Sequence, residues 1–303
     1  MLPPFKLNFR HLLLVKGHGS KQFLQGLITK DIEFSFCIFK NLFIFFFRLL
    51  NEENKLIYTF LLNVKGRIFV DMFIWRLTNI LENNDVESYG IEIDPKRLEV
   101  LQKALNIYKL RRPIIIENLN NLNVCFYSTN NLFQQQTSSK TLINWTSDPR
   151  IPNFGYRSLI ENEEGNCLEF NQNLEKEYIS RRYKWGIGEG MEIIDQIPLA
   201  MNGDLLNGIS FDKELISRTY HSGIVRRRLM PFKWLFNDSN KMPEDLTLKD
   251  EKGQRQGKLI TSNGKFGLCL VSVGLIPENI FIRLFDSNGR ALEVWRPNWW
   301  PKT

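Results

Sequence analysis

Two Asn-Gly pairs divide the end of this chain into short apolar segments. Asn263-Gly264 and Asn288-Gly289 are these pairs, and both residues of each pair tolerate positive φ, which favours a tight turn between antiparallel strands. The flanking segments are 258–261, 266–273, 280–285 and 291–295. Such hairpins bury their apolar faces by forming a small antiparallel barrel or sandwich. We therefore assign residues 231–303 to a C-terminal β-barrel domain.

The preceding region, residues 1–230, alternates strands with helices. The segments 57–63 and 67–75 read as strands, and Lys65-Gly66 between them predicts a hairpin turn. Asp94 and Pro95 form the expected start of a helix whose apolar residues recur every three or four positions. A second helix is predicted over 174–184. This mixture indicates an α+β fold.

The charge of the chain favours acidic partners. The net charge is +7 and the isoelectric point is about 9.2. A surface of this kind attracts nucleic acid, anionic lipid, polyanionic cofactors or acidic proteins. The N-terminal region contains five lysines and arginines before its first acid, Asp31, which resembles a mitochondrial transit peptide. The strand-like residues 12–15 indicate that a folded segment also begins early.

The cysteines do not form a metal-binding pattern. Cys37, Cys125, Cys167 and Cys269 are far apart, without a Cys-x-x-Cys pair or a histidine at ligand spacing. We expect buried thiols in a reducing compartment and no bound metal. The sequence also lacks a Walker loop and a Gly-x-Ser-x-Gly elbow.

A phenylalanine-rich stretch, residues 34–50, differs from the rest of the chain. Seven of the 23 phenylalanines lie in it. It is shorter than the roughly 20 apolar residues of a transmembrane helix, and Lys40 and Arg48 interrupt it. We expect no membrane span, and interpret the stretch as a buried element or an insertion.

Residues 183–192 hold a single glutamate between glycines. Glu189 lies beside Gly186, Gly188 and Gly190. Glycines allow a close approach of backbone and ligand, and a carboxylate there could accept two hydrogen bonds from a heterocycle. The alternative is a turn after a helix with a solvated glutamate.

Two arginine-containing segments are further candidates. In 148–157, Arg150 and Arg157 could pair with acids or bind a ligand carboxylate, and Asp148 before a proline favours a turn. In 217–231, Arg226 and Arg228 would share one face of an extended segment. That strip could bind phosphate, RNA or an acidic partner, or be a solvated basic strand.

The order of several motifs resembles the YgfZ and T-protein-like folate-binding superfamily, in its branch of mitochondrial iron–sulfur cluster assembly factors. The resemblance covers nearly the whole chain, and its pieces are collinear. The matching pieces are 14–17, 23–31, 60–68 with Asp71, 108–112, 148–150 with 155–157, Tyr178, Arg182, 186–190, 197–199 with Asn202, and 296–301.

This resemblance implies a T-protein-like ring of α+β units, a C-terminal barrel and a bound tetrahydrofolate. Glu189 would occupy the place of the acid that holds the pterin, and Arg157, Arg182 and Arg218 would be the other cofactor-binding residues. The implied function is a non-enzymatic assembly factor for 4Fe–4S proteins in the mitochondrial matrix: aconitase, lipoate synthase and respiratory enzymes. An A-type scaffold protein and ferredoxin would be its partners, and no DNA is expected.

The chain departs from that family in two places. The signature Lys-Gly-Cys-Tyr-x-Gly-Gln-Glu is interrupted, because Lys213 runs directly into Glu214. The phenylalanine-rich stretch is the second departure, since the family has a shorter link there. One loss and one apolar gain indicate altered exon boundaries or a faulty gene model, and sequencing of the transcript across both places would test this.

Two other functions remain open at this level. One is a tetrahydrofolate-dependent one-carbon transferase, for which an acid would have to orient the reacting nitrogen. Asp85 and Asp94 are the acids available for that role. The other is an RNA-modification accessory protein, for which the arginine strip would supply the binding surface.

Overall fold

The chain forms two compact units. The structure, a computed structural model, describes residues 2–32, 56–78, 86–128, 141–162, 171–210, 226–235, 242–278 and 280–301, with only the backbone of 141–144. Unit 1 comprises Met1–Phe170 and Leu206–Ile216, and unit 2 comprises Asn171–Leu205 and Ser217–Thr303. The predicted domain boundary after residue 230 stays a prediction.

Unit 1 contains nine described strands and two described helices. In chain order they are β1 Leu2–Lys6, β2 His11–Lys16, α1 Ser20–Gln25, β3 Leu56–Leu62, β4 Ile68–Arg76, β5 Ser88–Ile93, α2 Leu98–Tyr108, β6 Ile115–Asn118, β7 Leu122–Ser128, β8 Thr141–Ser147 and β9 Tyr156–Glu161. A five-stranded sheet has the order β3-β4-β5-β2-β6, and a four-stranded sheet has the order β1-β7-β9-β8. All neighbouring strands in both sheets are antiparallel.

The core of the five-stranded sheet follows the predicted apolar patterns. Phe23 and Leu24 of α1, and Leu101 and Leu105 of α2, are buried in the same cluster as the apolar residues of β2, β4 and β5. The predicted cap at Asp94 is present, because Asp94 Oδ1 accepts a hydrogen bond from Lys96 N–H at 2.9 Å. It caps a short 3-10 helix, Pro95–Arg97, which leads directly into α2. The apolar residues that alternate along the strands and those that recur every 3.6 residues along the helices therefore pack into the same core.

Unit 2 begins with α3, Gln172–Lys184, and ends with a closed six-stranded barrel. The barrel strands are β10 Arg227–Trp234, β11 Thr247–Lys249, β12 Arg255–Asn263, β13 Phe266–Ser272, β14 Ile282–Phe285 and β15 Ala291–Val294. Their order around the barrel is β10-β13-β12-β11-β14-β15. The predicted α+β class and C-terminal barrel are thus confirmed.

Three predicted hairpins are present at their glycines. Lys65-Gly66 joins β3 to β4, Asn263-Gly264 joins β12 to β13, and Asn288-Gly289 joins β14 to β15. The glycines have φ of 70°, 57° and 76°, which glycine adopts without the steric cost of a Cβ atom. Local turn chemistry was sufficient to place these three connections.

Two regions show the limits of local sequence signals. Ser20 has the residue type of a helix cap, but the N-cap of α1 is Gly19, and Ser20 Oγ donates to the carbonyl of Gly17 at 2.8 Å. The polar region 118–147 contains two strands, β7 and β8. Pairing with β9 and β1 stabilises these strands despite their polar composition.

In the described part of the chain, no helix has the length and apolar character needed to cross a membrane. The phenylalanine-rich stretch lies outside the described residues.

Candidate functional site

Helix α3 places three polar side chains on its buried face. Asn171 caps the helix, since its Oδ1 accepts hydrogen bonds from Asn173 N–H at 3.0 Å and Leu174 N–H at 3.3 Å. The buried residues of α3 are Tyr178, Arg182 and Tyr183. This helix therefore contributes a polar cluster and not an apolar stripe.

The turn after α3 returns the chain to this cluster. Gly186 has φ of 69°, and Ile187 N–H donates to Arg182 O at 3.0 Å while Gly186 N–H donates to Tyr183 O at 3.0 Å. These two bonds form a Schellman motif, which requires the left-handed residue that glycine provides. The motif places Glu189 next to the helix that it follows.

Glu189 is held by two side chains of α3. Tyr178 OH donates to Glu189 Oε1 at 2.8 Å, and Arg182 Nε lies 3.4 Å from Glu189 Oε2. Glu189 is 4% exposed. The interpretation of this residue as a solvated glutamate was therefore wrong, because its carboxylate is buried and oriented.

Glu192 completes the cluster. Arg182 donates two hydrogen bonds to Glu192, from Nη1 to Oε2 at 2.8 Å and from Nη2 to Oε1 at 3.0 Å. Tyr183 OH donates to Glu192 Oε1 at 2.7 Å and lies 3.1 Å from Thr261 Oγ1 of the barrel. A bidentate arginine–carboxylate pair fixes both partners in one geometry. We call Tyr178, Arg182, Tyr183, Glu189 and Glu192 the Glu189 cluster.

The electrostatics of the Glu189 cluster favour a ligand that donates hydrogen bonds. Burial would lower the pKa of Arg182, but the carboxylates of Glu192 and Glu189 raise it well above its usual value. Burial and the Glu192 charge raise the pKa of Tyr183. One guanidinium and two carboxylates sum to one negative charge. A buried carboxylate of this kind can accept further hydrogen bonds from N–H groups.

The glycines around Glu189 serve packing. A Cβ atom at Gly188 would lie 2.5 Å from Ile193 Cγ2, and one at Gly186 would lie 3.0 Å from Pro297 Cγ. Side chains of the protein itself occupy the space beside these two glycines. The glycines therefore allow close packing of the chain and do not make room for a ligand there.

Arg157 belongs to unit 1 and is fully buried there. Its Nε donates to Asp148 Oδ2 at 3.0 Å, and its Nη1 donates to Glu92 Oε1. The guanidinium also lies 3.9 Å from the centre of the Phe73 ring. Of the two readings of this segment, the geometry favours pairing with acids, and the cofactor role of Arg157 stays a prediction.

Arg157 is part of a larger buried network between the two sheets of unit 1. Glu92 Oε1 also accepts from Arg10 Nε at 3.1 Å, and Glu92 Oε2 accepts from Trp75 Nε1 at 3.0 Å. Arg150 binds Asp148 through Nε at 2.9 Å and Nη2 at 2.8 Å. Three cations, Arg10, Arg150 and Arg157, thus meet three anions, Asp71, Glu92 and Asp148. We call these six residues the charge network.

The arginines of the charge network favour the ionised form of Asp148. Burial would raise the pKa of Asp148, but Arg150 and Arg157 lower it below its ordinary value. A depressed carboxyl pKa stabilises the fold above the unfolded pKa, and this contribution is lost only as pH falls through the folded value. The role of Glu92 was not predicted, although a glutamate between Ile91 and Ile93 in a buried strand was the available signal in the sequence.

The arginine strip of 217–231 is interrupted. Arg228 does not share an exposed face with Arg226, because it pairs with Asp204, with Nη2 2.8 Å from Oδ2, and donates to Leu199 O at 2.8 Å. Arg226 and Arg227 are exposed. The RNA-binding alternative thus loses one of its arginines.

Other candidates have a clear place or lie outside the described residues. Asp94, considered for one-carbon transfer, is a helix cap. Cys125 and Cys269 are buried, and burial raises the pKa of the Cys269 thiol. No group of three or more potential metal ligands occurs among the residues the structure describes. Arg218, Asp85, Cys37, Cys167 and the Lys213–Glu214 junction lie outside them.

A polar contact in unit 1 that the sequence did not predict joins residues 29–31 to 207–210. Thr29 Oγ1 donates to Gly208 O at 2.8 Å, Asp31 N–H donates to Ser210 Oγ at 3.0 Å, and Lys30 Nζ donates to Asn207 Oδ1. Burial lowers the pKa of Lys30 to about 8, against the opposing charge of Asp31. The segment that leads to the Lys213–Glu214 junction is therefore anchored to unit 1.

Comparison with known proteins gives consistent matches. Residues 226–302 match the family described as "CAF17, C-terminal beta-barrel domain". The mouse "Iron-sulfur cluster assembly factor IBA57, mitochondrial" is 29% identical over 317 residues, covering 98% of this chain and 85% of the relative. The human protein of that name is 28% identical, with the same coverage of 98% and 85%.

A solved structure has the same fold. The glycine cleavage system aminomethyltransferase T from Bartonella henselae superposes with a TM-score of 0.61 at 14% sequence identity, covering 98% of this chain and 86% of that one. At this identity the likeness concerns the fold alone. The expected T-protein-like fold is confirmed by this match and by the CAF17-type barrel.

Proposed function

We propose that this chain, a relative of the mitochondrial iron–sulfur cluster assembly factors with a CAF17-type C-terminal barrel, is itself an assembly factor of that kind. The observation that carries the proposal is similarity over 98% of the chain to two mammalian proteins with this name. The expected mitochondrial location agrees with the names of these relatives. We place the chain in the matrix and assign it 4Fe–4S proteins as its targets.

The surface charge supports a protein partner for this work. With a net charge of +7, the chain attracts acidic proteins at long range. An A-type scaffold protein and ferredoxin are the partners we propose. The iron–sulfur cluster would be cargo that passes between proteins, and the described residues would contribute partner binding.

We further propose that the Glu189 cluster holds the pterin of a tetrahydrofolate. The residues fit this group, because a buried carboxylate oriented by Tyr178 and Arg182 can accept hydrogen bonds from the amino and ring N–H groups of a pterin. The single negative charge of the cluster favours such donors. A bound folate would supply one-carbon carrier chemistry, and Arg157 and Arg218 stay predicted contributors.

Replacing Glu189 with glutamine should weaken tetrahydrofolate binding by about tenfold to a hundredfold. Hydrogen bonds to a charged group contribute about 1.5–3 kcal/mol, and glutamine keeps the shape while it removes the charge. Isothermal titration with tetrahydrofolate measures the change, and Glu177→Gln, on the exposed side of the same helix, is the matched control. An unaltered chain that does not bind folate, or equal affinity of both variants, would contradict the role of Glu189 without touching the assembly function.

The assembly function is tested by complementation. We expect that cells depleted of their own assembly factor, given this chain behind a reliable presequence, recover aconitase activity and protein lipoylation best when Gly-Cys-Tyr-x-Gly-Gln is restored between Lys213 and Glu214, with alanine as x. The resemblance assigns cluster chemistry to that cysteine, so a thiolate must be available. The same insertion with serine for cysteine is the matched control.

The outcomes of this experiment separate two questions. Rescue by the chain as it stands would keep the assembly function and make the cysteine dispensable. If neither the chain nor the restored form rescues while both are soluble and a cysteine-containing relative does, the assembly function is wrong.

A further inference from the structure

The two edges of the five-stranded sheet in unit 1 differ. Along β3, residues 28–30 cover the edge: Ile28 forms a bridge with Leu61, Thr29 N–H donates to Phe60 O at 2.9 Å, and Lys30 N–H donates to Thr59 Oγ1 at 3.1 Å. Strand β6 is the opposite edge, and it pairs with β2 on one side. On its other side no strand in the described ranges pairs with it.

The register shows which backbone groups of β6 point outward. Leu119 N–H donates to Leu12 O at 3.0 Å, so these two residues form a hydrogen-bonded pair of the ladder. Because such pairs alternate in antiparallel strands, Ile115 and Glu117 direct their backbone groups to β2. The N–H and C=O groups of Ile116 and Asn118 therefore point away from the sheet. An edge with outward backbone groups can accept another strand.

Apolar side chains surround this edge. Ile107 is 69% exposed, Leu110 is 82% exposed, and Tyr108 and Ile115 are about half exposed. Leu110 has φ of 52°, a left-handed conformation that favours glycine at the end of a helix. A leucine there costs about 1 kcal/mol of backbone energy and projects its side chain into solvent. Neither property helps the fold of the isolated chain.

Positive charge adjoins the apolar side chains. Arg111 and Arg112 are exposed, and Lys109 Nζ ties the end of α2 to β6 by donating to Ile114 O at 3.0 Å. Residues 103–117 contain four lysines and arginines against one acid, Glu117, a local net charge of +3. We call Ile107, Tyr108, Leu110, Arg111, Arg112 and Ile115 the β6 patch.

We propose that β6 binds an acidic, extended segment of a partner protein as an additional strand. The outward backbone groups of Ile116 and Asn118 match the N–H and C=O groups that an extended polypeptide offers, which sets this surface apart from one built for lipid or RNA. Arg111 and Arg112 select glutamate and aspartate, and the exposed apolar side chains contact alternate apolar residues of the segment. The inference rests on this sheet edge and is independent of folate binding and of the assembly function.

The proposal is tested with short labelled peptides and the full chain. The first peptide alternates glutamate with valine, the second replaces each glutamate by lysine, and the third replaces alternate residues by proline, which removes the N–H groups that a new ladder needs. By fluorescence anisotropy we expect the first peptide to bind at least about tenfold more tightly than either of the others. Anionic phosphatidylglycerol vesicles form a fourth arm, and they should not displace the first peptide.

Variants of the chain locate the binding. The double substitution Arg111→Glu with Arg112→Glu should weaken binding of the acidic peptide by at least about tenfold, and so should Asn118→Pro, which removes an outward N–H. Lys252→Glu with Arg255→Glu makes the same charge change at exposed positions of the barrel and should leave binding within about twofold. Thermal unfolding of each variant checks the fold, and the two β6 variants perturb different groups.

Four results would overturn the proposal. They are no binding of the acidic peptide to the unaltered chain, equal binding of the proline peptide, equal losses in the barrel control, and displacement of the peptide by vesicles. The last result would identify the β6 patch as a lipid surface.

Discussion

Replacing Glu92 with glutamine is expected to lower the free energy of unfolding by about 3–5 kcal/mol. Glu92 is fully buried and accepts hydrogen bonds from Arg10, Trp75 and Arg157. Its removal leaves three buried guanidinium groups opposite two carboxylates. Solvent does not stabilise an unpaired charge in the low-dielectric interior. The free energy of burying that charge therefore destabilises the folded state.

Urea denaturation followed by circular dichroism measures this loss. Glu117→Gln is the control, because its pair with Lys16 spans 4.0 Å on the surface and Glu117 is 53% exposed, so we expect a change within about 0.5 kcal/mol. Adding Arg10→Met to Glu92→Gln restores a balance of two cations and two anions and should recover part of the loss. A Glu92→Gln variant as stable as the Glu117→Gln control would show that the charge network does not hold the sheets.

Replacing Arg182 with leucine should have the second largest effect on stability. We expect the free energy of unfolding to fall by about 3 kcal/mol at neutral pH. Arg182 binds Glu192 through two hydrogen bonds, lies beside Glu189, and donates to Ile187 O at 3.0 Å. Without this cation two neighbouring carboxylates share a buried site. Arg182→Lys keeps the charge but cannot form the fork, so its effect should be intermediate.

The loss at Arg182 should depend on pH in a defined direction. Removing the cation leaves two neighbouring buried carboxylates without a positive partner, and a proton taken up by the folded variant relieves their repulsion. The variant therefore regains stability as pH falls from about 7 to about 5. Arg181→Leu, at the preceding residue of α3, should lower the free energy of unfolding by no more than about 1 kcal/mol at either pH. A loss that is independent of pH would assign the effect of Arg182→Leu to packing alone.

Local chemistry explains which parts of this fold the sequence predicted. The turns at Lys65-Gly66, Asn263-Gly264 and Asn288-Gly289 depend on the residues in them, and so does the cap at Asp94. Each was placed without knowledge of distant residues. The Gly19 cap of α1 was missed because glycine has no side chain to signal a cap.

The long-range partners could not be read from the sequence. Glu92 and Arg157 are 65 positions apart, and nothing near either residue indicates the other. Both readings of Arg150 and Arg157 fitted the sequence, and only the packing of the two sheets decides between them. The family resemblance identified Glu189 as a candidate ligand-binding residue. Its burial depends on the Schellman turn and on Tyr178 in the preceding helix, α3, and neither contact could be read from the sequence.

The charge network also sets an order of events while the chain is being made. Arg10 emerges from the ribosome long before Arg157 and Asp148, and β1 must wait for β7 before it is paired. Until β9 has emerged, the nascent N-terminal region therefore exposes apolar strands together with charges that have no final partner. Non-local pairing of this kind is slow and prone to aggregation, so we expect the nascent unit 1 to be most vulnerable to aggregation before β9 is available.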